Sequence, residues 1–326
     1  KLKSFKELSK IKFDKIIISP GIDISKCRLS KILKKNLSKI YTDLDIFYSF
    51  YKNKSITITG TNGKSTTAKI LYEVLKDQKY DTRLIGNIGN PVLSEKKITK
   101  KTIFVIEASS YQLEYSQMFK ANIAAILNIS PDHLERHKSL QNYIKAKFKL
   151  IKNQTNKDYA ILNTNNFYIK KQIRNQKFLP KIIKVNKQID ITISKKINNP
   201  FFTTTGNKEN LSFVLKILEI LKIKKKKIFR VLNTFSGLKY RQQIIFKSKS
   251  LTIINDSKST SFSSSASLLK SMSNVYWIVG GLAKKGDKFL LTKANCKNFQ
   301  AYIFGKNKNF FIEKLKKIVN YQSFIN

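Results

Sequence analysis

The chain has 326 residues, 41% of them hydrophobic, and carries 64 Lys and Arg against 20 Asp and Glu for a formal net charge of +44. That length is enough for two or three domains with cores of their own, and no apolar run reaches the roughly 18 residues of a membrane-spanning helix, so a soluble, cytoplasmic protein without a membrane span is expected. Cys27 and Cys296 stand far apart without metal-ligand spacing, which argues against a disulfide framework and fits a reducing compartment.

A charge this large marks a nucleic-acid or anionic-membrane binder when the cations cluster. Here they do not. The arginines are Arg28, Arg83, Arg136, Arg174, Arg230 and Arg241, the lysines run along the whole chain, and Ile and Asn are abundant as well. An AT-rich coding sequence leaves that imprint, so no nucleic acid is expected as a partner. The charge still draws anionic substrates over a Debye length of about 8 Å. The opening K-L-K-S-F-K-E-L-S-K has neither an apolar signal core nor an initiator Met.

In chain order, Ile16 to Ile18 read as a buried strand that ends in the Ser19-Pro20-Gly21 turn, and residues 40–50 read as a helix. The stretch that organises the rest is S-I-T-I-T-G-T-N-G-K-S-T at 55–66. A β-branched strand runs into Gly60, Thr61, Asn62 and Gly63, then into Lys64, Ser65, Thr66 and a helix with Ile70, Leu71, Val74 and Leu75 at helical spacing. Strand, glycine turn and helix start make a phosphate cradle. Backbone N–H groups approach the anion, Lys64 reaches the β/γ-phosphates, and a Ser65 or Thr66 hydroxyl holds Mg²⁺. The strict pattern has a further Gly five residues before Gly63, where this chain has Ile58, so the loop is a compact variant.

Thr82 to Ile85 form a strand before the polar loop G-N-I-G-N-P (86–91). The strand T-I-F-V-I-E (102–107) ends in Glu107, an acidic residue where a phosphate-loop enzyme needs one for Mg²⁺. A third strand, 122–128, leads to I-S-P-D-H-L-E-R-H (129–137). His133 there suits a metal ligand or proton carrier, and His137 is read as structural. Residues 140–150 are helical, with Lys145, Lys147 and Lys149 on a solvated charged face, and 158–163 form a strand. Ile182, Ile183 and Val185 suggest a separate small sheet.

G-N-K-E-N (206–210) opens an apolar helix with Asn207 as its N-cap. A further helix spans about 225–233, and Gly237 suggests a hinge. The strands 251–256, 275–281 and 301–305 form a second nucleotide-type sheet, with a helix from about 260 and a basic helix at 310–319.

Several motifs coincide in order: S-P-G-I (19–22), T-G-T-N-G-K-S-T-T (59–67), G-N-I-G (86–89), E-A-S-S-Y-Q-L-E (107–114), L-N-I-S-P-D-H-L-E-R-H (127–137), N-K-E-N (207–210), F-S-G-L-K-Y-R (235–241), N-D-S-K-S-T (255–260) and G-G-x-x-K-x-x-D (280–287). In them the chain resembles the Mur ligases of peptidoglycan synthesis, and within that family the branch that adds D-glutamate.

The resemblance implies an α/β fold of three domains with a central phosphate-loop-type parallel sheet. Residues 1–52 would be the remainder of a UDP-substrate domain, 53–238 the ATP-binding domain and 239–326 an incomplete Rossmann-like domain for the amino acid. It implies ATP and Mg²⁺ as cofactors, UDP-N-acetylmuramoyl-L-alanine and D-glutamate as substrates, and a monomer. Ser65 and Glu107 would hold one Mg²⁺ and His133 would help hold another, near Lys147, where the family carries a carbamylated lysine. Asn207 and Asn210 would lie by the adenine, Asp256 by the ribose, and Arg241 and Lys258 by the phosphates. Thr260 and Lys284 would meet D-glutamate, and Asn87 and Ser109 the UDP-sugar peptide. The chain departs from the family at Gly206, Tyr240, Gln243 and Ser261. A sister ligase, a folylpolyglutamate synthase-like ligase, a degraded nucleotide-binding homologue and a basic nucleic-acid module are the alternatives. The chain is expected to be a fragment of a longer protein.

Overall fold

The computed structural model describes residues 4–185, 191–224, 227–283 and 287–324. The chain divides into two units, Lys1–Ile129 with Arg136–Val185, and Ser130–Glu135 with Asn186–Asn326. Among the described residues no helix is long and apolar enough to cross a membrane.

In the first unit, β1 (Ile16–Ile17) pairs in parallel with β2 (Ile40–Tyr41) over a small core of Ile18, Ile24, Leu33 and Ile40. The helix expected over 40–50 therefore begins only at Asp43 and ends at Phe50. Thr42 and Asp45 close a capping box at its start and leave Ile40 and Tyr41 to the strand. Asp45 also reaches a distant loop. Its Oδ1 accepts from Ser116 Oγ at 2.8 Å, Met118 N at 2.7 Å and Phe119 N at 2.9 Å, so one buried carboxylate holds both the helix start and the 116–119 turn.

The main sheet of this unit comprises β3 (Ser55–Thr59), β4 (Thr82–Gly86), β5 (Ile103–Glu107), β6 (Ile123–Ile126), β7 (Tyr159–Asn163) and β8 (Lys181–Val185). Its six strands are all parallel, in the order β4-β5-β3-β6-β7-β8. Covered on both faces, such strands are continuous apolar or β-branched runs. Phe104, Ile106, Ala124, Ile126, Leu150 and Leu162 lie in their core, and each fully buried large apolar side chain contributes about 1.5–3 kcal/mol. Residues 181–185, whose short apolar run suggests a small sheet, form the edge strand of this one. The chain leaves β3 for β4 and β5 on one side, then crosses to β6 on the other. That reversal places the ends of β3, β5 and β6 around a switch point, where open parallel sheets bind ligands.

Arg136 fastens the Ser19-Pro20-Gly21 turn to this unit. Its guanidinium donates to Glu114 Oε2 at 3.1 Å and, at 3.4 Å each, to the carbonyls of Pro20 and Gly21. Burial by itself would raise the Glu114 carboxyl, but hydrogen bonding and charge from His137 and then Arg136 hold it below its ordinary value. Arg136→Ala should cost about 3 kcal/mol of stability at pH 7, because it takes the guanidinium from the Glu114 carboxylate and leaves only His137 beside it. The depressed carboxyl adds stability above the ordinary carboxylate pKa of about 4.3 and loses it as pH falls further. Urea melts at pH 7 and pH 3.5 should therefore show the variant's deficit shrinking in acid.

In the second unit, the helix expected to open at 206 begins one residue earlier and runs Thr205–Ile220. Thr204, not Asn207, is its N-cap, and its hydroxyl accepts from Asn207 N at 3.3 Å. Three adjacent threonines, 203–205, span the helix start, and the hydroxyl best placed against the third helical N–H takes the cap. Part of the helix expected near 225 lies outside the described residues, and Phe229–Thr234 is helical. Gly237 lies inside this unit at φ +79°, where a Cβ would approach the Phe201 ring to 2.8 Å. Close packing accounts for glycine there. β9 (Gln243–Lys247) and β10 (Thr252–Asn255) pair antiparallel, so the 251–256 strand does not join the second parallel sheet as expected. That sheet consists of β11 (Asn274–Gly280), β12 (Asn298–Phe304) and β13 (Asn320–Ser323), packed on Phe262, Leu269, Phe311 and Leu315. The basic helix spans Lys308–Leu315 and stops short of 319.

Candidate active site

The cradle forms as its residue types require. All five residues of β3 are buried, which fixes where the chain emerges at Gly60. Gly63 opens the Lys64–Asp77 helix at φ +83°, a left-handed conformation that favours glycine. Its N-cap position is Gly63, which makes no side-chain cap hydrogen bond, and a helix N-terminus of this kind favours an anion. Ser65 and Thr66 are buried in its first turn. Lys64 Nζ folds back to donate to the carbonyls of Gly60 at 3.0 Å and Thr61 at 2.8 Å.

Glu107 ends β5 with its side chain buried, only 1% exposed. Its Oε1 accepts from Asn87 Nδ2 at 2.8 Å, while Oε2 is buried with no hydrogen-bond partner among the described residues. A buried carboxyl oxygen without a partner is costly, and a bound divalent cation would remove that cost. A carboxylate oxygen and the Ser65 hydroxyl are the hard donors Mg²⁺ prefers, with water and phosphate completing the shell. The residues therefore fit the ion. Asn87 is tied to Glu107 twice, since its backbone N donates to Glu107 O at 2.9 Å. A Cβ on Gly86 would lie 2.4 Å from that same oxygen.

Lys147 overturns the solvated-face expectation for its helix. It is 1% exposed, and its Nζ donates to Gly60 O at 2.7 Å and lies 4.5 Å from the centroid of the Tyr143 ring. The helix Leu140–Lys152 turns this position inward, and the long methylene stem is buried while the ammonium finds a loop carbonyl. Lys145 remains exposed, and Lys149 is partly buried. His137 is buried, with Nε2 2.9 Å from Ser110 Oγ, in keeping with a structural role. Ser109 is the N-cap of Ser110–Tyr115; its hydroxyl accepts from Gln112 N, and Gln112 Nε2 donates to Asp43 Oδ2 at 2.9 Å.

Two residues that sequence reading did not single out also touch the loop. Asn128, just beyond β6, accepts from Thr61 N through its carbonyl at 2.9 Å and from Asn62 N through Oδ1 at 2.8 Å, and its Nδ2 donates to Asn62 O at 3.2 Å. The Tyr143 hydroxyl is 3.1 Å from Thr61 Oγ1. The available signals were an Asn directly past a strand end and a Tyr one helical turn before Lys147.

The remaining candidates lie in the second unit. His133 belongs to its 130–135 segment and adopts φ +54°, an uncommon backbone for histidine, with its N donating to Asp132 Oδ1 at 2.9 Å. Asn207 and Asn210 are buried. Asn207 Nδ2 donates to Phe201 O at 2.8 Å and to Gln242 Oε1 at 3.3 Å, and Asn210 Nδ2 donates to Asn207 Oδ1 at 3.4 Å. Gln242 N in turn donates to Asp256 Oδ1 at 3.0 Å, so this glutamine joins the expected adenine and ribose residues. Asp256 Oδ2 also accepts from the hydroxyls of Ser259 and Ser265. Burial raises its carboxyl, against these hydrogen bonds and the Arg241 charge. Lys258 N donates to Tyr240 O at 3.0 Å, Thr260 is exposed, and Lys284 lies outside the described residues.

The four departures are built into their surroundings. A Cβ at Gly206 would come within 2.7 Å of Ser267 Oγ. Tyr240 N donates to Gln243 Oε1 at 2.9 Å, and Ser261 precedes the Phe262–Lys270 helix with its N donating to Ser264 Oγ at 3.3 Å.

The sequence profile of the Mur ligase middle domain matches residues 58–228. The chain belongs to the Mur ligase family, ATP-dependent ligases that form amide bonds. It is similar to the UDP-N-acetylmuramoylalanine–D-glutamate ligase of Rickettsia felis, with 33% identity across 94% of this chain and 72% of that protein. The enzyme of the same name from Francisella philomiragia is 34% identical across 95% of this chain and 74% of its own length. Among solved structures, MurF from Acinetobacter baumannii superposes with a TM-score of 0.67 at 16% identity, covering 87% of this chain and 70% of that one. At that identity the superposition speaks for the α/β fold alone.

Proposed function

We propose that this protein adds D-glutamate to UDP-N-acetylmuramoyl-L-alanine at the expense of ATP, in the cytoplasm and as a monomer, as a step of peptidoglycan precursor synthesis. The observation that carries the reading is the uncapped helix behind the phosphate loop together with the unpartnered Glu107 oxygen at the sheet's switch point. The named relatives supply the substrates. An alanyl carboxylate oxygen attacks the γ-phosphorus, ADP leaves, and an acyl phosphate forms. The amine of D-glutamate attacks its carbonyl carbon, loses a proton, and expels inorganic phosphate.

Two anions must meet in the first step, so cationic groups have to lower their repulsion. Lys64 leaves the loop carbonyls for the β/γ-phosphates, and the helix N–H groups hold the phosphate oxygens. Mg²⁺, when bound to Glu107 and Ser65, supplies positive charge and orients the transferred phosphoryl group. In this reading carbamylated Lys147 and His133 serve a second ion and Asn87 and Ser109 face the UDP-sugar peptide. Asn207, Asn210, Asp256, Arg241 and Lys258 hold the nucleotide, while Thr260 and Lys284 hold D-glutamate. The three-domain division at 52/53 and 238/239 belongs to the same reading.

The test is phosphate release with ATP, Mg²⁺ and UDP-N-acetylmuramoyl-L-alanine, with and without D-glutamate. Release that requires D-glutamate is expected. Stimulation by a different amino acid would move the protein to a sister ligase, and silence with every amino acid would leave a nucleotide-binding homologue without turnover.

A further inference from the structure

We infer that Asn128, aided by Tyr143, is the positioning residue of the phosphate loop. It turns the first half of that loop away from the nucleotide, so that the triphosphate is gripped by the Gly63–Thr66 backbone and Lys64. The inference rests on the ATP-dependent reading above.

A phosphate loop ordinarily aims successive N–H groups at the anion. In this compact variant two of them are spoken for. Thr61 N donates to Asn128 O and Asn62 N donates to Asn128 Oδ1, at 2.9 Å and 2.8 Å. The return bond from Asn128 Nδ2 to Asn62 O, at 3.2 Å, makes the side-chain contact two-pronged, which fixes the plane of the Asn62 peptide groups as well as their distance. Close approach is built in, because a Cβ on Gly60 would stand 3.0 Å from Leu127 Cβ and 3.4 Å from Asn128 N and O. The Tyr143 hydroxyl meets Thr61 Oγ1 and Lys147 Nζ meets Gly60 O as well, so each of the three residues before Gly63 is held from outside the loop. In this arrangement an anion would meet the backbone from Gly63 on, where the left-handed turn starts the helix. The first helical bond closes only at Thr67 N, which donates to Gly63 O at 2.9 Å.

Asn128→Ala removes both side-chain prongs and keeps the backbone bond. It lets the loop sample shapes in which the Gly63–Thr66 donors are not aligned, and the two lost hydrogen bonds predict about tenfold weaker ATP binding. Asn128→Asp keeps the acceptor for Asn62 N but sets a carboxylate against Asn62 O and near the triphosphate, so it should be weaker still. Tyr143→Phe deletes one hydroxyl and should weaken ATP about threefold.

The experiment is calorimetric titration of the whole chain with ATP, alongside melting curves and the KM for ATP and for D-glutamate. The expected result is a raised ATP Kd and ATP KM in all three variants, a D-glutamate KM within about twofold of wild type, and melting temperatures within a few degrees of it. ATP affinity unchanged in Asn128→Ala and Asn128→Asp would overturn the inference. So would equal losses for ATP and D-glutamate accompanied by a collapsed melting temperature, which is what a merely structural residue gives. Should the Asn128 variants fail to fold, Tyr143→Phe decides alone. Wild-type protein that does not bind ATP would overturn the functional reading, and this inference with it.

Discussion

Lys64→Ala should cut D-glutamate-dependent phosphate release by about a hundred- to a thousandfold, the range seen when one preorganised charge-stabilising donor is removed from an active site. The fold should survive. Lys64 is the first residue of its helix, where a cation opposes the helix dipole, and its bonds to Gly60 O and Thr61 O span only three and four residues. Loss of those bonds and relief of the dipole clash act in opposite directions, each by about 1 kcal/mol or less. A circular-dichroism melt close to wild type, beside turnover lowered at saturating ATP, is the expected pair of results. Turnover near the wild-type rate would remove Lys64 from the mechanism.

Glu107→Gln should be as severe for turnover while leaving stability unchanged or raised. The glutamine keeps an oxygen for Asn87 Nδ2, so the G-N-I-G loop stays in place. At the other position an NH₂ replaces the unpartnered oxygen and presents a donor where a cation needs a lone pair. Phosphate release should fall about a hundredfold or more, and the Mg²⁺ concentration giving half-maximal rate should rise at least about tenfold. Free of the cation, the variant should melt at or above the wild-type temperature, since a carboxylate half-satisfied in a dry site is replaced by a neutral group. A variant with an unchanged Mg²⁺ requirement would take Glu107 out of the metal site.

The chemistry-bearing half of the first unit was legible because its signals are local. A buried parallel strand reads as one apolar run, and S-I-T-I-T and I-F-V-I-E could be little else. Gly63 and the helix after it are likewise set within a few residues. What escaped depends on partners far away in the chain. Whether Lys147 faces water or the loop is decided by Gly60 O, 87 residues before it, and helical periodicity carries no trace of that bond. Asn128 and Tyr143 were missed for the same reason. Asn207 lost its expected cap to Thr204 because three adjacent threonines offer equivalent hydroxyls and only the final geometry selects one. β9 and β13 escaped because their residues are mostly exposed and lack the alternation that marks a half-buried strand.

The position of β3 in its sheet also bears on how the protein emerges from the ribosome. β3 ends at Thr59, yet both its neighbours are made later, β5 at 103–107 and β6 at 123–126. At a synthesis rate of about 5–20 residues per second, this fully buried strand waits several seconds for its second partner. Until then its edges are open and its faces uncovered, the condition in which nascent chains pair with one another. Slow, long-range closure of a parallel sheet makes this interval the vulnerable one. Yield in a heterologous host should accordingly depend more on translation speed and chaperone supply between residues 60 and 126 than on the stability of the finished fold.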